Sequence, residues 1–212
     1  MNKWLENLQS DPISTLLEVQ DEALTFFLRR DLLEEDTIPV EDLWKLPPAT
    51  NLIKKQKENG SWRYGGQGVK RFPYNNYDLL ETFRNLRTLV AMHALTRDHP
   101  AIQGAAEYIF SCQAEDGDIR GIIGNQHMPY YHGAILELLI KAGYVEDDRV
   151  IKGLDWLLSV RQADGGWLIP MQMIPAKEKT EEYWCGNPLP TDKSKPHAHL
   201  ATGMEVIETY QK

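Results

Sequence analysis

Three stretches of the chain align on a glutamine followed by a glycine. They are LIKKQKENGSWRY with Gln56, Gly60 and Trp62, IFSCQAEDGDIRG with Gln113 and Gly117, and LSVRQADGGWLIP with Gln162, Gly166 and Trp167. Successive glutamines stand 57 and 49 residues apart. Repetition at such a period constrains the fold more than any other feature, because each unit must bury its apolar face against a neighbour. Each glutamine ends an apolar run, each glycine breaks it, and a loop leads into a second apolar run. The unit therefore reads helix, glycine turn, loop, helix.

The helices follow from their periods. Asp98 and Pro100 mark a start for AIQGAAEYIFSCQ, with Ile102, Ala105, Ala106 and Ile109 on one face. Asp147 and Asp148 precede RVIKGLDWLLSVRQ, with Val150, Leu154, Leu157 and Leu158 on one face. The intervening runs are apolar around more of their circumference: LLETFRNLRTLVAMHAL carries Leu79, Leu80, Phe83, Leu86, Leu89 and Val90, and GAILELLIKAGY is alike. A helix apolar on two sides packs on two sides, which predicts one-faced helices outside two-faced ones.

The glutamine corner has a physical role in such a stack. A helix ends with carbonyls that lack partners, and glycine takes the left-handed conformation that closes the end. A glutamine amide both donates and accepts, so it can tie neighbouring helix ends together beneath a tryptophan ring that excludes water. The predicted clasp residues are Gln56, Gly60, Trp62, Gln113, Gly117, Gln162, Gly166 and Trp167.

The stretch KGLDWLLSVRQADGGW resembles the QW repeat of squalene cyclases and protein prenyltransferase β subunits, through Lys152, Gly153, Trp156, Leu157, Gln162, Gly166 and Trp167. The Gln56 unit matches in part, and the Gln113 unit has Asp118 and Ile119 where the aromatic belongs. The resemblance is closest to the prenyltransferase-like branch of that superfamily and covers residues 48–212. It implies an all-α chain of antiparallel helix hairpins forming an incomplete α/α toroid, because a closed toroid needs more hairpins than the three available here. Open repeat faces imply self-association or further repeats. Residues 1–47 read as a helical cap and connector. DPISTLLEVQDEALTFFLRRDLLEED is expected to be one helix with Asp11 as N-cap and Pro12 in its first turn.

Bulk chemistry excludes several classes. Acidic residues outnumber basic ones 31 to 23, so the surface repels nucleic-acid phosphates on average. No apolar run reaches the roughly 18 residues of a membrane span, and the N-terminus has no apolar signal core. Two cysteines, Cys112 and Cys185, give no disulfide framework and fit a reducing cytoplasm.

Candidate chemistry lies in two loops. GNQHMPYYHGAI places His127, Tyr130, Tyr131 and His132 at the start of a two-faced helix, where aromatic rings either line an isoprenoid pocket or fill space between repeats. Tyr77, Arg84 and Trp184 complete the ligand-lining set. EEYWCGNPLPTDKSKPHAHLATG supplies Cys185, His197 and His199 as a zinc set, or else packs as a polar loop. The resemblance implies two functions. One is a repeat protein of unassigned activity that binds an apolar ligand or partner in its concave face. The other is an isoprenoid-type enzyme, a prenyltransferase or terpene cyclase, with zinc as its cofactor. The aspartate-rich DxDD pattern of the cyclases is absent, and the prenyltransferase Asp-x-Cys pattern is broken by Tyr183.

Overall fold

A computed structural model describes residues 9–66, 71–169 and 175–190. Its helices are α1 (Pro12–Leu17), α2 (Glu22–Phe27), α3 (Pro47–Ile53), α4 (Tyr77–Arg87), α5 (Pro100–Ser111), α6 (Pro129–Leu139), α7 (Asp148–Ser159) and α8 (Glu181–Cys185). One four-residue extended stretch, β1 (Ile122–Asn125), lies between α5 and α6. The all-α expectation holds for the described residues. The expected last helix, residues 199–212, lies outside them.

Two hairpins form the centre. Helix α4 packs on α5, α6 packs on α7, and α4 also packs on α6. Leu79, Leu86, Leu89, Ile102, Ile109, Ile135, Leu136 and Leu139 are fully buried in one cluster between them. Both α4 and α6 run on into wider π-type turns, over Thr88–Met92 and Ile140–Tyr144, and these two segments also touch.

Starts and faces depart from expectation in three places. Residues 11–36 do not form one helix. Asp11 caps α1, accepting from the Ile13 N–H at 2.9 Å, but Asp21 then accepts from the Leu24 N–H at 2.9 Å and starts α2 afresh. A second capping aspartate supplies what an interrupted helix lacks, a partner for its free N–H groups. Helix α5 is capped by His99, whose Nδ1 accepts from the Ala101 N–H at 3.0 Å, while Asp98 is held by the Thr96 hydroxyl. On α7, Leu158 is exposed and Trp156 is buried instead. A separate small cluster, Ala23, Phe26 and Leu43, lies in the N-terminal segment, and Trp44 joins it to the main cluster.

Candidate functional site

The glutamine corners come first, because they set where every loop leaves the stack. After α3, the Gln56 amide Nε2 donates to the Gly60 carbonyl and to the Ala101 carbonyl in the first turn of α5, each at 2.8 Å. After α5, Gln113 donates to the Gly117 carbonyl and to the Arg149 carbonyl in the first turn of α7, again at 2.8 Å. One side chain closes its own turn and grips the next helix. Gly60 and Gly117 have φ of +83° and +105°. A Cβ on Gly60 would stand 2.0 Å from the Gly104 carbonyl oxygen, and one on Gly117 2.5 Å from that of Lys152. The glycines are required by both backbone conformation and closeness of approach.

The third corner is registered one residue earlier than the sequence suggests. The turn bond from Lys57 N–H to Ser61 carbonyl recurs as Ala114 to Asp118 and as Gln162 to Gly166, each 2.8 Å. The glycine with positive φ is therefore Gly165, at +95°, and not Gly166. Arg161 takes the place of Gln56 and Gln113, its Nε donating to the Gly165 carbonyl at 2.8 Å. The tryptophans agree: Trp62 Nε1 donates to the Leu52 carbonyl at 2.8 Å and Trp167 Nε1 to the Leu157 carbonyl at 2.7 Å, both ten residues back. The turn dictates the register because its backbone bonds are obligatory. Gln162 lies one step along, buried, with its amide 3.4 Å from the Val160 carbonyl.

In the second corner Asp118 is completely buried. Its Oδ2 is 2.7 Å from His127 Nδ1 and 3.1 Å from Arg120 Nε, and Arg120 also pairs with Asp116. The Asp118 Oδ1 has no hydrogen-bond partner among the described residues and stands 3.3 Å from His132 Nδ1. That nitrogen already accepts from the Ile119 N–H at 3.0 Å, so Nε2 carries the ring proton and donates to the Gly153 carbonyl at 2.8 Å. Burial pushes the His132 pKa below its ordinary value, against the pull of Asp118. Trp156 covers both imidazoles, with ring centroids 4.7 Å from His132 and 5.2 Å from His127. His132 therefore pins the second corner to α6 and α7 and does not line a pocket. Its counterpart in the first corner is Thr82, whose hydroxyl accepts from the Trp62 N–H at 3.2 Å.

The remaining ligand-lining candidates separate. Tyr130 is exposed and lines a groove of about 230 Å³ between α4 and α6, together with Phe83, Ala134, Leu138, Arg87, Glu137 and Lys141. Tyr131 packs edge-on against Phe83 at 5.9 Å and against Tyr130 at 5.2 Å. Tyr77 and Arg84 gather instead around Tyr64: the Tyr77 ring is 5.0 Å away, the Arg84 guanidinium 5.7 Å and that of Arg71 5.6 Å. His127 belongs to the buried Asp118 cluster. Trp184 is buried against Phe72 and the Gly124 backbone, and its Nε1 donates to the Lys179 carbonyl at 3.1 Å.

Trp184 and Cys185 also line a cleft of about 440 Å³ with Cys112 and Arg120. Cys185 is exposed; burial pushes the Cys112 thiol pKa up. His197 and His199 lie outside the described residues. Among the described residues no three His, Cys, Asp or Glu side chains are grouped to hold a metal ion. No helix of the described residues is long and apolar enough to cross a membrane. Sequence reasoning missed the buried Asp118 cluster. Its signal was a carboxylate placed one residue after the clasp glycine, in a turn that must be buried. No protein-family model matches this chain, and no curated protein matches it in sequence.

Proposed function

We propose that the chain is an arc of an α/α toroid, built from three QW-type hairpins, that binds an apolar ligand along the face shared by α4 and α6. The observation that carries this reading is the groove between those helices. Phe83, Ala134 and Leu138 give it an apolar lining, the exposed ring of Tyr130 borders it, and Arg87, Lys141 and Glu137 supply its charges. A volume near 230 Å³ falls below the ~300–1,000 Å³ of sites that enclose a whole drug-sized ligand. It suits a segment of a flexible chain, such as a prenyl tail, with the rest lying along the surface. Because a fold does not fix an activity, the proposal assigns none.

Titration calorimetry with farnesol tests it. Binding is expected for the parent chain, with a loss of roughly tenfold in affinity for Tyr130→Ala and of all measurable binding for Ala134→Trp, which fills the groove. Unchanged affinity in both variants sinks the reading. The enzymatic alternative, a zinc-dependent prenyl transfer, is favoured by one observation: Cys185 stands exposed beside the 440 Å³ cleft. Elemental analysis of the purified chain and of a Cys185→Ser variant decides it, since the reading requires near-stoichiometric zinc in the first and a loss in the second.

A further inference from the structure

Another cavity, of about 640 Å³, lies between α2 and the π-type turn that follows α4, on residues that the α4–α6 groove does not involve except for Ala91. Phe27, Leu46 and Met92 supply apolar walls, and Asp21 and Glu22 supply the charge; among the described residues no Lys or Arg lines it. His93 also lines it. That imidazole is 95% buried, since only 5% of its surface is exposed, yet its Nδ1 has no hydrogen-bond partner among the described residues. Buried polar atoms are nearly always satisfied, and one that is not calls for an account. The next residue is also unusual: Ala94 has φ of +50°, a conformation rare outside glycine. The turn is held in place by Trp44, whose Nε1 donates to the Ala94 carbonyl at 3.3 Å.

We propose that this cavity binds a small amphipathic amine, its alkyl body against Phe27, Leu46 and Met92 and its ammonium group beside His93, Asp21 and Glu22. A neutral imidazole presents one accepting nitrogen, and an ammonium offers three donors to meet it. Burial holds the His93 pKa below its ordinary value, so the ring is neutral at pH 7 and available to accept. The Asp21 charge bears on the same ring. Among the described residues an anionic head group would meet two carboxylates and no cation, in a chain whose net charge is −8. Cavity size and apolar lining match those of small-molecule sites.

Calorimetric titration with hexylammonium, 1-hexanol and hexanoate tests the proposal, with the His93 ring nitrogens followed by NMR. Hexylammonium is expected to bind most tightly and hexanoate least, and the His93 signals to shift with the amine. His93→Phe is expected to weaken the amine roughly tenfold, because the ligand then buries a donor without a partner. Glu22→Gln changes an exposed side chain, and is expected to weaken hexylammonium while leaving hexanol unchanged. Should His93→Phe fail to fold, the ring signals and Glu22→Gln decide alone. Equal affinity for hexanoate, unmoved His93 signals at saturation, or no binding of the amine at millimolar concentration each overturns the proposal.

Discussion

The side-chain amide of Gln113 reaches the backbone carbonyl of Arg149, 36 residues ahead, at 2.8 Å, while the same nitrogen closes its own turn on Gly117. Gln56 does the same for Ala101. Arg161, at the equivalent place in the third turn, is exposed and donates to the Gly165 carbonyl. Gln113→Ala is therefore expected to lower unfolding free energy by ~1–3 kcal/mol, since two carbonyls lose a donor inside a packed junction. Arg161→Ala should cost less than ~1 kcal/mol. Urea unfolding midpoints check the contrast, and equal losses would refute the smaller contribution assigned here to the exposed Arg161 bond.

The three turn glycines differ in what faces them. Gly117→Ala must place a Cβ against the Lys152 carbonyl as well as accept a positive φ, and its expected cost is ~3 kcal/mol or more. At Gly165 the nearest neighbour is the Arg161 guanidinium at 3.1 Å, the far end of a flexible side chain. Only the backbone strain then remains, about 1–2 kcal/mol. Thermal unfolding of both variants should show the larger drop for Gly117→Ala.

Acid weakens the fold through its buried imidazoles. Burial lowers the His132 pKa in the folded chain, while an unfolded histidine titrates near about 6.5. Between those two values the unfolded chain binds the extra proton, so stability is full above about pH 6.5 and falls as pH drops through that region. His93 and His99 are shifted in the same direction by burial and add to the slope. Urea midpoints at neutral and mildly acidic pH should differ, and His132→Gln should narrow the difference without abolishing it. An unchanged slope would show that His132 is not the buried neutral ring described here.

Ala94 stores strain that glycine would release. Its φ of +50° is disfavoured by about 1–2 kcal/mol for a residue with a Cβ, against an entropic cost of ~0.5–1 kcal/mol for placing glycine there. Ala94→Gly is expected to be neutral or to stabilise by up to ~1 kcal/mol in denaturant unfolding. A clear loss would mean that the alanine methyl is packed against its surroundings more favourably than the strain is costly.

The amino-acid order by itself determined the central helices and most of their apolar faces. Asp11 and Asp147 cap where their spacing from the apolar run requires, and Ile102, Ala105, Ala106 and Ile109 are buried on one face because their period matches the helix. It also determined that Gln56 and Gln113 stand at helix ends, because the glycine that follows each can adopt the conformation that closes the turn. Tertiary structure decided the rest. The packed turn settles that Arg161 stands in for the third glutamine, because its backbone bonds set the register; the letters carried a weaker sign of it, the two-residue step from Gly60 to Trp62 that Gly165 and Trp167 repeat. Only packing separates Tyr130, exposed at a groove, from His132 two residues later, buried between an N–H and a carbonyl from two other segments. A residue's chemistry is local, but its partners come from chain 13 and 21 residues away, and no local pattern fixes which of them arrive.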